Sequence, residues 1–301
     1  MSRTLPALLV FALTACTAPV GSGTPNSTPS NNPTSTTVAP RTASTTQLPT
    51  CSLPIGLMSG ASGFIHVPTG NFEPAKGPLA NIPEIGGYYT QTYDWDYAKW
   101  LPVSQKDISP DGSKYAYQNN DRILKVVDVA SGSVTAIPAS SGWNLIGAAN
   151  DGVYVHTYSG HAGLWFLPYA GGDPVQVSPA GYSYLALGGG YAYAAVGKDD
   201  QTLLQVDLKT GVATKFADPP ADILGFDNAG VPVVGLARSL VLMPAPYQQK
   251  VVVPGQRPPG FVVGDAHGLW FPLNEGIFLR TPDGRVIEVT PMNGLIQGSC
   301  R

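Results

Sequence analysis

Ser109-Pro110-Asp111-Gly112-Ser113-Lys114-Tyr115-Ala116-Tyr117 is the stretch on which the fold is decided. Pro110 fixes φ, Asp111 can bond the backbone N–H groups that follow it, and Gly112 supplies φ > 0, so the first half is a tight turn. The second half is a short aromatic run suited to a strand. The same grammar returns along the chain. Asp151-Gly152, Gly189-Gly190, Ala229-Gly230 and His267-Gly268 each precede an apolar run. Counted from Gly112, the intervals are 40, 38, 40 and 38 residues. Gly63, before Phe64-Ile65-His66-Val67, stands 49 residues ahead of Gly112 and reads as the first turn of a further unit with an insertion.

A second turn recurs at Gly132, Gly172, Gly211 and Gly284, following its first turn by 20, 20, 21 and 16 residues. The unit that begins at Gly230 uses Pro244-Ala245-Pro246 instead. Two short apolar runs lie between the turns, as at 114–118 and 123–129. One follows the second turn, as at 134–137, and one precedes the next first turn, as at 145–148. That makes four strands in each unit of about 39 residues, with no capped helical period anywhere. Four-stranded sheets repeated around a ring form a β-propeller, because each sheet has two apolar faces that only neighbouring sheets can cover. Residues 51–301 give room for six blades, with seven as the alternative, and a β-sandwich as the competing all-β architecture. Within the first unit, 88–93 reads as the third strand and 99–103 as the fourth. Gly294-Leu295-Ile296-Gln297-Gly298 is similar to the first strand at Asn144-Leu145-Ile146-Gly147, so the two ends of the domain are expected to meet.

Composition excludes several functions. The 301 residues carry 17 Lys+Arg and 20 Asp+Glu, and a net charge of −3 gives no basis for neutralising a phosphate backbone. No apolar run has the length of a spanning helix. Gly and Pro, 35 and 29 in number, argue against a helical bundle. Charged residues make up 12%, about half the usual share. Arg3 and Arg41 are the only charges in residues 1–50, but most of the deficit lies in 51–301, where stacked sheets would bury both faces.

The N-terminus reads as an address. Arg3 precedes a nine-residue apolar stretch, 5–13, too short to span a bilayer and suited to a signal-peptide core. It runs into Leu13-Thr14-Ala15-Cys16, which resembles the lipobox of bacterial lipoproteins. The resemblance implies that residues 1–15 are removed, that Cys16 carries a thioether-linked diacylglycerol, and that acyl chains hold the protein to a bacterial membrane outside the cytoplasm, at the cell surface or in the periplasm. Residues 17–50 contain 5 Ser, 10 Thr, 6 Pro and 3 Asn, so 16–50 is expected to be a disordered tether. With Cys16 assigned to lipid, Cys51 and Cys300 remain, in a compartment where disulfides form. Only one intramolecular pairing is possible. By chain entropy it would stabilise the domain by about 5 kcal/mol. Two free thiols are the alternative.

The 109–117 stretch resembles the Ser-Pro-Asp-Gly signature of the WD40-like repeats of TolB-type propellers. Val127-Asp128-Val129-Ala130-Ser131-Gly132 and Val206-Asp207-Leu208-Lys209-Thr210-Gly211 resemble the strand-turn segment of the same repeats. The resemblance implies the architecture and a tendency to bind proteins or ligands. TolB itself has an α/β domain ahead of its propeller, where this chain has the Ser/Thr/Pro-rich segment, so TolB's own partners do not carry over. Asp111, Asp128 and Asp207 are read as turn-builders, and Asp94, in Tyr93-Asp94-Trp95-Asp96-Tyr97, as a fourth.

Chemistry-bearing motifs are sparse. His66, His156, His161 and His267 form no metal-ligand spacing beyond a weak His156/His161 pair, and neither a nucleophile elbow nor a phosphate loop occurs. No catalytic residue, metal or cofactor is expected. The loops between second and third strands fall on one rim of a propeller. Tyr158, His161, Tyr182, Asp199 and Asp200 are the candidate binding surface there, with a mixture that suits protein or glycan contacts. The expected function is a monomeric, lipid-anchored, non-catalytic binding or scaffold module of the bacterial cell envelope. The alternatives are a propeller enzyme (hydrolase, lactonase or glycan lyase) acting at the channel mouth, and a sensory or solute-binding lipoprotein.

Overall fold

The structure, a computed structural model, describes residues 47–76, 91–138, 140–157, 162–196, 202–218, 222–236, 239–255 and 260–301. Cys16 lies outside them. Residues from Gln47 to Arg301 form one compact unit.

Every sheet is antiparallel, and together they make the expected propeller of six blades. Blade one contains β1 (Cys51–Leu57), β2 (Ser62–Val67) and β3 (Asn71–Pro74). A hairpin, β4 (Thr92–Asp94) with β5 (Lys99–Leu101), and a 3-10 turn at Gln105–Asp107 come next. Blade two contains β6 (Lys114–Gln118), β7 (Leu124–Asp128) and β8 (Val134–Ala136), with a single bridge from Ile108 to Tyr115 in place of its innermost strand. Blade three runs β9 (Asn144–Ala148), β10 (Gly152–His156), β11 (Leu164–Pro168) and β12 (Val175–Ser178). Blade four runs β13 (Ser183–Gly188), β14 (Tyr191–Val196), β15 (Thr202–Asp207) and β16 (Ala213–Ala217). Blade five runs β17 (Asp222–Phe226), β18 (Pro232–Leu236), β19 (Ser239–Ala245) and β20 (Gln248–Pro254). Blade six runs β21 (Val263–Asp265), β22 (Gly268–Leu273), β23 (Gly276–Arg280) and β24 (Val286–Thr290). The last strand, β25 (Gly294–Ile296), returns to blade one as its innermost strand, pairing Ile55 with Ile296 and Leu57 with Gly294.

This closure moves two sequence assignments. Because the C-terminus supplies the first strand of blade one, β1 is its second strand and Gly63 lies inside the third, β2, not at a first turn. Residues 92–101 are likewise not the outer half of blade one. Of the expected third strand, 88–93, only residues from 91 on are described. There, among the described residues, β4 pairs with β5 alone, in a separate two-stranded sheet. The pair fits between blades one and two. Phe64 of β2 meets Tyr93, Trp95 and Trp100 with ring centroids at 4.8, 5.6 and 5.7 Å. The Trp95 indole donates to the Ser299 carbonyl at 2.7 Å, and on the other side Lys99 Nζ donates to the Val129 carbonyl at 2.8 Å.

Cys51 and Cys300 are joined in a disulfide across 249 residues, with Cα atoms 5.6 Å apart. The Ser52 amide donates to the Arg301 carbonyl beside it, at 2.9 Å.

Each blade has one residue grammar. Leu53, Ile55, Ile65 and Val67 of blade one bury against Trp270, Ile277 and Leu279 of blade six, and similar clusters fill the other interfaces. The outer strands of blades three to six each carry a bulge, at Val177, Phe216, Val252 and Val289. The extra residue turns the end of the strand inward, so Phe216, Val252 and Val289 are buried although the residues before them face water. The second-turn glycines 132, 172, 211 and 284 all have positive φ, and in blade five, which lacks one, Tyr247 takes that conformation at φ 59°.

Strand order defines two rims. The turns after first and third strands lie on the lower rim, together with Cys51 at the start of β1. Second strands end and third strands begin at the upper rim, where fourth strands also end and first strands begin.

Candidate functional site

Of the five rim residues expected from the sequence, one lies in the described structure. Tyr158, His161, Asp199 and Asp200 fall outside the described residues, and Tyr182, in the connection from blade three to blade four, falls within them. Tyr182 stands in a chain of rings. Its centroid is 6.0 Å from that of Tyr184, which in turn is 6.2 Å from the His156 imidazole at the upper end of β10. The Tyr184 hydroxyl donates to the Ala180 carbonyl at 3.0 Å, and burial raises its pKa above the ordinary phenol value.

The neighbouring part of the rim is the 3-10 turn at the inner edge of blade two. Lys106 reaches from it across β9 and donates to the Ile146 carbonyl at 3.2 Å. The turn can lie this close because residue 147 is glycine: a Cβ there would stand 2.8 Å from the Lys106 carbonyl oxygen. His156 is buried, and that burial, followed by the positive charge of Lys106, holds its imidazole below the usual range. Asp107 shows the opposite shift. Burial pushes its carboxyl up, against the pull of Lys106, whose Nζ is 3.6 Å from Oδ1, and of the Ser104 hydroxyl, which donates to Oδ2. Asp107 Oδ1 accepts no hydrogen bond from the described residues.

The upper rim around blades two to four therefore brings together an ammonium group, a neutral imidazole, a buried carboxyl and two phenol rings. Such a set can stack on a ring or apolar group and donate to carbonyl or carboxylate oxygens. Among the described residues no group of three or more His, Cys, Asp or Glu side chains could hold a metal ion. His161, half of the sequence-level His156/His161 pair, lies outside them.

The aspartates behave as the turn chemistry predicts. Asp111 accepts from the Ser113 amide, Asp128 from Ser131, Asp207 from Lys209 and Thr210, and Asp94 from Asp96 and Tyr97. Sequence reasoning missed Lys106, Asp107 and Tyr184. Lys106-Asp107 lies in a stretch with no repeat partner, so its inner-edge position had no signal. Tyr184, one strand residue after Tyr182 and Ser183, was legible only as an aromatic of β13.

No known protein family matches this sequence, and none of the curated proteins is similar to it. Solved structures share the general shape. A protein named as a gluconolactonase is 14% identical over 73% of this chain and 84% of its own, with a TM-score of 0.43. An oligogalacturonate lyase in complex with manganese is 15% identical over 82% of this chain and 74% of its own, with a TM-score of 0.42. TolB from Acinetobacter baumannii is 12% identical over 79% of this chain and 52% of its own, with a TM-score of 0.36. Among the described residues no helix is long and apolar enough to cross a membrane.

Proposed function

We propose that this chain is a lipid-anchored propeller on the outer side of a bacterial membrane, and that it binds a protein or glycan of the envelope through its upper rim. One observation carries this reading. The chain enters the propeller on the lower rim, where Cys51 is bonded to Cys300, whereas Lys106, His156, Tyr182 and Tyr184 gather on the opposite rim. A disulfide holding the two ends together belongs to an oxidising compartment, which supports an address outside the cytoplasm. The lipobox-like Leu13-Thr14-Ala15-Cys16 supports lipid on Cys16, and the TolB-like repeats support a binding role.

The test is crosslinking in intact cells with a photoreactive residue at position 182 on the upper rim or at position 210 in a lower-rim turn. Position 182 should capture a discrete protein or glycan adduct and position 210 should not. Equal capture from both, or capture from 210 alone, would remove the upper-rim assignment. Cys16→Ala should shift the protein from the membrane to the soluble fraction, and an unchanged membrane fraction would remove the lipid anchor.

A further inference from the structure

Ser52, His66 and Glu73 stand in a row across β1, β2 and β3, on the face of blade one that meets the β4–β5 hairpin. Ser52 and His66 are direct partners in the ladder, and Glu73 lies opposite Phe64, two residues from His66 on the same face. Ser52 Oγ is 3.0 Å from His66 Nδ1, and His66 Nε2 is 2.9 Å from Glu73 Oε2. Lys76 Nζ adds an ion pair at 3.1 Å from Glu73 Oε1. The hydrogen bond from His66, and then Lys76, hold the Glu73 carboxyl below its usual range. An ionised carboxylate only accepts, so the neutral imidazole carries its hydrogen on Nε2, which leaves Nδ1 to accept from the Ser52 hydroxyl.

A hydroxyl on a base that is itself oriented by a third group is the arrangement of an activated nucleophile, recognised by geometry and roles rather than by sequence order. The site opens to water: the His66 and Glu73 side chains are 42% and 45% exposed, and Ser52 is half-buried. An apolar wall stands beside it. Phe64 shares the face about 7 Å along the strand from His66, and its ring meets those of Tyr93 and Trp95.

We propose that Ser52 is a nucleophile that accepts acyl groups from small aryl esters. Ser52 Oγ bonds to the ester carbonyl carbon as the bond from that carbon to the aryl oxygen breaks. The Oγ proton passes to His66 Nδ1 and from there to the departing aryl oxide. Water then adds to the acyl-serine, gives its proton to His66, and the acid leaves as Ser52 Oγ takes that proton back. Glu73 is a positioning residue that fixes the ring and its tautomer. The site is independent of the upper rim and takes a different class of ligand.

The test uses the purified, oxidised chain with 4-nitrophenyl acetate, following nitrophenolate release and mapping acetyl groups by peptide mass spectrometry. Ser52 should acetylate well ahead of Ser133, an exposed hydroxyl with no imidazole partner. Ser52→Ala should abolish the fast phase, and His66→Gln should slow it about a hundredfold. Glu73→Gln, which can still accept from Nε2, should retain more of the rate than Glu73→Ala. Thermal melting of each variant separates loss of rate from loss of fold. Acetylation of Ser52 no faster than that of Ser133, or a rate unaffected by His66→Gln in a folded variant, overturns the proposal and leaves the three residues as a cross-strand hydrogen-bond ladder.

Discussion

The ring has two unusual joints, and they are built from different materials. Within blade one, the two ends of the domain meet through backbone, where β25 pairs with β1 and Ser52 bonds to Arg301, and one covalent side-chain bond, Cys51 to Cys300, locks them. Between blades one and two, the hairpin has one main-chain bond to blade one, from the Tyr93 amide to the Gln297 carbonyl, and is otherwise held by side chains, namely the Phe64–Tyr93–Trp95–Trp100 cluster, the Trp95 indole and the Lys99 ammonium. A ladder of main-chain bonds needs only extended backbone and tolerates many sequences. A joint of packed rings depends on each ring in it.

Four measurements sharpen or break that contrast. Cys51→Ser should have the largest effect, lowering stability by about 2–5 kcal/mol in chemical denaturation, yet leave a folded protein because the β1–β25 ladder remains. Global unfolding of this variant would show that the ladder alone cannot close the ring. Trp95→Ala should cost about 2–3 kcal/mol, since it removes a half-buried ring and the bond to the Ser299 carbonyl. If it costs under about 0.5 kcal/mol, the hairpin is decoration and not a joint. Lys99→Met keeps the aliphatic stem and should cost about 1 kcal/mol, read as a lower melting temperature.

The smallest effect has the opposite sign. Asp107, in the segment leading from the hairpin to blade two, has its carboxyl pushed up by burial, so ionising it works against the folded state. Its contribution is fully present below the unfolded pKa of about 3.9 and is lost as pH rises through the higher folded value. Asp107→Asn should therefore raise the melting temperature at pH 7, with the gain vanishing toward pH 3. His156 works the other way. Its lowered pKa makes the neutral ring the stable form, so the stability it contributes is present above about pH 6.5 and is lost on acidification.

Much of the blade structure is legible in the residues. Gly132, Gly172, Gly211 and Gly284 occupy left-handed turns that a side chain would strain, so their spacing reports the blade period directly. The assignment of Gly294-Leu295-Ile296 as a first strand also holds, because that segment has the local pattern of β9. What the sequence hides is whatever depends on partners far along the chain. Gly63 looks like a turn glycine, and its own ladder partners, Ile55 and Pro74, are close in sequence, but its strand is third in the blade only because β25, more than 230 positions on, supplies the first. Residues 92–101 have the pattern of an outer hairpin, and nothing local tells that they pair only with each other. The sites are hidden for a different reason. Ser52, His66 and Glu73 carry no motif, since strand register alone brings them together. Tyr182 could be placed in a loop because it lies between two recognisable strands, β12 and β13. Lys106 and Asp107 could not, because their segment follows the hairpin that breaks the strand count.

The closing disulfide also has a mechanical meaning. Tension applied to the chain ahead of Cys51 would, with the bond absent, pull on one end of β1 and tend to unzip it from β2 and β25 one rung at a time. With Cys51 fastened to Cys300, the same load divides at the first residue of the sheet between the second strand and the innermost one. The two strands then share the force in parallel, and blade one behaves as a loaded clamp where it would otherwise peel.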